Sequence, residues 1–75
     1  MAGVGLQGAD LTGANLTNSD LTGALLKGAN LSGANLNNAN FKGADLRDAI
    51  FTSPWFENAK LKGAKNCPKN IKHKC

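Results

Sequence analysis

The residues that could do chemistry in this chain are few, and most crowd its C-terminal tail. Cys67, His73 and Cys75 are its only thiols and its only imidazole. As metal ligands they would make three, at spacings unlike those of structural zinc motifs and with no fourth candidate nearby. As catalytic groups they fare no better. No serine or cysteine nucleophile pattern, paired general acid and base, or phosphate-binding loop accompanies the one histidine. The expectation is therefore no catalytic residue, no cofactor site and no metal site. What remains is the pair Cys67 and Cys75, which encloses a nine-residue segment short enough for a disulfide to close and tie down the C-terminus. A disulfide would imply an oxidising compartment, and two reduced cysteines in a cytosolic tail are the alternative.

Charge follows the same division. Residues 1–57 hold all five acids, Asp10, Asp20, Asp45, Asp48 and Glu57, against Lys27, Lys42 and Arg47, which leaves −2. The tail from Asn58 holds Lys60, Lys62, Lys65, Lys69, Lys72 and Lys74, a charge of +6. The basic balance therefore belongs to the end of the chain and does not argue that the body binds nucleic acid. No apolar run approaches the roughly 18 residues of a membrane span. Met1 to Gly5 lack the basic and apolar stretches of a secretory signal, so a targeting segment is expected to have been removed or never to have existed.

The elements that position these groups follow from a repeat. Shifted by five residues, the sequence superimposes on itself from Val4 to Gly63, giving twelve units. Their centres are Leu6, Leu11, Leu16, Leu21, Leu26, Leu31, Leu36, Phe41, Leu46, Phe51, Phe56 and Leu61. Nine units have alanine two residues before the centre; Val4, Ser19 and Pro54 replace it in the others. One residue before the centre, Asp or Asn predominates. Five residues match neither the helical nor the strand period, so the chain must turn in every unit. The turn falls two residues after each centre, where ten units carry glycine or asparagine, the residues that accept the positive φ of a type II turn. Asp48 and Ser53 are the departures, and type I corners are expected there. Between turns about three residues stay extended, which points the alanine and the large centre inward and the Asp or Asn outward.

The pattern Ala-Asp/Asn-Leu-x-Gly, as in Ala9-Asp10-Leu11-Thr12-Gly13 and Ala34-Asn35-Leu36-Asn37-Asn38, resembles the pentapeptide-repeat family over about four fifths of the chain. The resemblance implies an all-β fold, a right-handed quadrilateral (four-sided) β-helix with four units per coil and about three coils. It also implies four inward stacks: Leu6, Leu26 and Leu46; Leu11, Leu31 and Phe51; Leu16, Leu36 and Phe56; Leu21, Phe41 and Leu61. The expected organisation is an N-terminal lead (1–3), the β-helix (4–63) and a basic C-terminal cap (64–75), irregular or helical. Short members from cyanobacteria and the thylakoid lumen are similar in carrying a disulfide in the C-terminal cap. That likeness implies a thylakoid-lumen or periplasmic home for this chain, with the cytoplasm as the alternative.

The repeat degrades at Ile50-Phe51-Thr52-Ser53-Pro54-Trp55-Phe56, where large apolar residues take outward positions. Ile50 and Trp55 are expected to pack under the tail, against Ile71, or else to form a partner-binding patch. At the other end, Gly3-Val4-Gly5 offers no cover for the strand edges, so the N-terminal coil is a candidate homodimer interface. The leading functional expectation is a noncatalytic structural or protein-interaction module with an unidentified protein partner; no nucleic acid, cofactor or membrane span is expected. Two alternatives remain. Some members of the family mimic duplex DNA and bind gyrase, although here the acids are few and about three coils span only about 15 Å at strand spacing. The lysine tail could instead bind an anionic surface.

Overall fold

The computed structural model describes residues 2–52 and 58–75, with His73 described through its backbone alone. The short period leaves each unit a single ladder residue between turns, and that residue pairs in parallel with the one twenty positions on. The bridges are Gly5↔Leu25, Asp10↔Asn30, Asn15↔Asn35, Asp20↔Asn40, Leu25↔Asp45, Asn30↔Ile50, Asn40↔Lys60 and Asp45↔Lys65. The chain is thus a β-helix whose path passes over itself every twenty residues. The last bridge lies beyond Gly63, because the backbone of Asp45 and Leu46 still offers partners to Lys65: the Leu46 N–H donates to the Lys65 carbonyl over 2.9 Å.

Each unit repeats one set of hydrogen bonds. Leu11 N–H donates to the Asn30 carbonyl at 2.8 Å, Asn30 N–H returns to the Ala9 carbonyl at 2.9 Å, and Gly13 N–H reaches the Ser32 carbonyl at 2.9 Å. The corner is closed by Ala14 N–H donating to the Leu11 carbonyl at 2.9 Å. Such short extended segments are held by this axial ladder, since a pair of isolated strands is marginal in water.

The corners require a positive φ. Gly13 has φ 68°, yet a Cβ built there would meet nothing within 4 Å, so the sign of φ rather than lack of room selects glycine. Asn18, Asn38 and Asn58 adopt the same region at φ 63°, 64° and 59°. Asp48 joins them at φ 58°, which corrects the expectation of a type I corner there. Aspartate is among the few side chains that tolerate this region, and bonds above and below hold the corner in the common geometry. Ser53 lies outside the described residues.

Inward alternation builds the core. Leu21, Leu26, Leu31, Leu36, Phe41 and Leu46 have no exposed surface, nor do Ala24, Ala29, Ala34, Ala39 and Ala44. Phe51 and Leu61 are buried as well, and Phe41 meets Phe51 edge to face, with ring centroids 6.2 Å apart. Leu6, Leu11 and Leu16 in the first coil pack against this core but are only partly buried. Phe56 lies outside the described residues.

At the opposite end, Pro68 leads into a 3₁₀ helix, Lys69–Lys74. Ile71 turns inward from it and is 97% buried at the base of the core, as its 3% exposure shows. Asn70 Nδ2 donates to the Phe51 carbonyl at 2.8 Å, satisfying a backbone acceptor at that end of the ladder. No helix among the described residues is long and apolar enough to cross a membrane.

Candidate interaction surface

Cys67 and Cys75 are joined in a disulfide, with Cα atoms 6.7 Å apart, bracketing the 3₁₀ helix and its inward Ile71. The separation lies within the ordinary disulfide range. Both sulfurs are thereby committed to each other rather than to a metal. The side chain of His73, the third residue in the metal reading, lies outside the described residues.

The outward Asp and Asn side chains have a local task that spacing alone did not disclose. Each accepts a hydrogen bond from the backbone N–H two residues on, at the start of the corner. Asp10, Asn15, Asp20, Asn30, Asn35, Asn40 and Asp45 receive Thr12, Thr17, Thr22, Ser32, Asn37, Lys42 and Arg47 in this way, at 3.0–3.1 Å. These are Asx turns, which explains why short carbonyl-bearing side chains recur at that position. A signal was present in the sequence: Asp or Asn stood a fixed two residues before the first corner residue. Thr12 and Thr17 add their hydroxyls to the same oxygens at 2.6 Å, and Thr52 Oγ1 donates to Ser32 Oγ at 2.7 Å one coil away.

These bonds set the acids' titration. The Thr12 hydroxyl and then its N–H hold Asp10 below the usual carboxylate value, and the Thr22 side chain and N–H do the same for Asp20. Asp45 is lowered first by Asn66 Nδ2, which donates to it at 3.1 Å, then by the Arg47 N–H. Arg47 and Lys65 add their charges. In each case a donor favours the ionised form.

The expected apolar patch is only partly in view. Ile50 stands 44% exposed in the column Asp10–Asn30–Ile50, while Ile71 fills the core end. The reason is alternation: a residue one before the centre points outward even when it is apolar. Trp55 lies outside the described residues. Leu25, also 44% exposed, occupies the neighbouring column between Gly5 and Asp45.

A corner after every fifth residue, an alanine and a leucine or phenylalanine turned inward, and a capped Asx turned outward describe a single repeating unit. The pentapeptide-repeat family model matches this chain in eight copies, across residues 14–53 and 29–65, and the chain belongs to that family. Members of the family fold as right-handed β-helices, and so does this chain. A pentapeptide repeat protein from the cyanobacterium Cyanothece is 36% identical, with a TM-score of 0.80 over 84% of this chain and 44% of its own. A pentapeptide repeat protein of the Arabidopsis thaliana thylakoid lumen is 29% identical, with a TM-score of 0.51 over 93% of this chain and 55% of its own. HetL of the cyanobacterium Nostoc, involved in heterocyst differentiation regulation, is 32% identical, with a TM-score of 0.54 over 83% and 38%. The chain thus spans roughly two fifths to just over half of each. No curated protein sequence matches it.

Proposed function

We propose that this chain is a noncatalytic module, a four-sided β-helix of about three coils over residues 4–63 behind a lead at 1–3 and closed by a cap at 64–75, whose rigid outer surface receives a partner protein. The observation that carries the reading is the closed interior. From Leu21 to Leu46 the inward side chains fill the axis completely, so anything the protein recognises must meet its outside. The corner and Asx bonds hold that outside rigid, which lowers the ordering cost of binding. Partial burial of Leu6, Leu11 and Leu16 also favours a contact at the N-terminal coil, a second copy being one candidate occupant.

The structure weighs against mimicry of DNA in one respect. The described residues carry only four carboxylate side chains, Asp10, Asp20, Asp45 and Asp48, against nine lysines and arginines. The disulfide, together with likeness to a thylakoid-lumen protein, favours a lumenal or periplasmic home over the cytoplasm.

Photo-crosslinkers placed singly at Ile50, Leu25, Thr17 and Lys42 test the module reading in the native compartment. One saturable protein adduct confined to one face supports it. Equal, unsaturable labelling from every position would sink it. Protease protection of the protein in intact and ruptured organelles or spheroplasts tests the compartment.

A further inference from the structure

Among the described residues, one corner collects lysines without an acid in their midst. Lys42, Lys60 and Lys62 line an open depression together with Asn40 and Gly63. Stacking by twenty residues explains the gathering: Asn40 bridges to Lys60, which sets Lys42 one coil from Lys62. The same corner one coil earlier carries Asp20 and Thr22, and the corner at Arg47 is flanked by Asp45 and Asp48.

The depression presents donors. Asn40 Oδ1 accepts the Lys42 N–H at 3.0 Å, and its Nδ2 is a further donor at the depression. Lys42, Lys60 and Lys62 are exposed, and none of the three is ion-paired among the described residues. The ladder also changes here. Elsewhere the positive-φ corner residue donates to the carbonyl nineteen positions on. That register is seen in Gly23 N–H to Lys42, yet Gly43 N–H instead reaches Gly63, twenty positions on, at 3.1 Å. Gly63 accordingly has φ 89°, against 68° at Gly23. The Lys42 stem crosses this opened corner, since a Cβ on Gly63 would lie 3.6 Å from Lys42 Cγ.

We infer that the corner formed by Lys42, Lys60 and Lys62 binds an acidic stretch of a partner protein. The inference rests on the protein-binding reading above and narrows it to a surface and a chemistry. Lys60 and Lys62 stand two residues apart on a segment entering the corner, and alternate side chains of an extended acidic peptide repeat at about 6.7 Å. Lys42 adds a third charge about 4.8 Å along the axis. A concave corner of this size suits a polypeptide strand better than a flat bilayer.

The test is titration of the full oxidised chain with a decaglutamate peptide at 0.15 M salt, where charges more than about 8 Å apart are largely screened. Parallel titrations use inorganic phosphate, phosphatidylglycerol vesicles and a DNA duplex. Saturable peptide binding is expected, weakened about tenfold in the triple variant K42Q/K60Q/K62Q but less than about threefold in K69Q/K72Q/K74Q. Equal weakening in the two variants would mean a diffuse basic end and overturn the assignment. Tighter binding of vesicles, phosphate or duplex than of peptide would overturn it too, as would absence of peptide binding. A crosslinked partner on another face, with no peptide bound here, would defeat the corner and leave the module standing.

Discussion

The two ends of the coil carry nearly the same repeat, yet they meet solvent differently. In the first coil Leu6, Leu11 and Leu16 are only partly buried, while their counterparts Leu26, Leu31 and Leu36 have no exposed surface. The backbone differs likewise. Leu25, Asn30, Asn35 and Asn40 donate their N–H groups to the coil before them, whereas Gly5, Asp10, Asn15 and Asp20 have no earlier coil among the described residues to receive theirs. The C-terminal end is closed, with Ile71 on the core, Asn70 bonded to Phe51 and a disulfide around both. A unit of this repeat is thus incomplete alone. Its burial and hydrogen bonding are supplied by the units twenty residues before and after it, as expected of a quasi-one-dimensional fold.

The largest effect should come from emptying the middle. Phe41→Ala is expected to cost about 3–5 kcal/mol. Leu11→Ala, at a partly buried centre, is expected to cost less than the 2–5 kcal/mol typical of full burial, about 1–2 kcal/mol. Urea midpoints at constant slope measure both, and equal losses would remove the distinction between the ends.

Opening the closed end comes next. The double variant C67S/C75S is expected to lose about 2–3 kcal/mol by the chain-entropy estimate for a loop of this length. Faster amide exchange should appear first around Ile71 and Phe51. Loss spread evenly along the coil would instead mean that the disulfide does not act through the cap.

Exchange in the unaltered protein sharpens the contrast without a mutation. Amides of Gly5, Asp10, Asn15 and Asp20 should exchange much faster than those of Leu25, Asn30, Asn35 and Asn40. Protection of the first group in concentrated solution, lost on dilution, would show a second copy covering that edge.

Corner chemistry gives a smaller change. Asp48→Gly should stabilise by up to about 1 kcal/mol, since it relieves a side chain held at positive φ. A type I corner in solution would make the same change destabilising.

The smallest effect is on pH dependence. Asp10, Asp20 and Asp45 are lowered in the folded chain, so their contribution is present above the ordinary carboxylate range and disappears as pH falls through their folded values. Asn accepts the same corner N–H at Asn15, Asn30 and Asn40, so D10N/D20N/D45N should keep the fold and flatten the acid limb of the stability profile. An unchanged limb would place its origin in other groups.

Much of this was legible because a repeat states its environment twelve times. The inward leucines, the alanine beside them and the positive-φ corners follow from alternation and from the few residues that accept such a backbone. Asp48 misled because aspartate is unremarkable in a type I turn when seen alone; within the ladder its neighbours impose the common corner. Ile50 follows its place in the unit, which turns it outward despite its apolar character. The Asx caps were recorded in the fixed spacing of Asp and Asn before each corner, although composition offers the simpler reading of a solvated face.

By itself the sequence determined the period, the inward and outward faces, the location of the corners and the pairing available to two cysteines, because these depend on residues within a few positions of one another. Only the tertiary structure decided which leucines close completely, that Ile71 rather than Ile50 seals the core, and that Lys42 joins Lys60 and Lys62. Those outcomes depend on what lies one coil above or below, and contact across twenty residues is set by winding and capping rather than by any local preference of the chain.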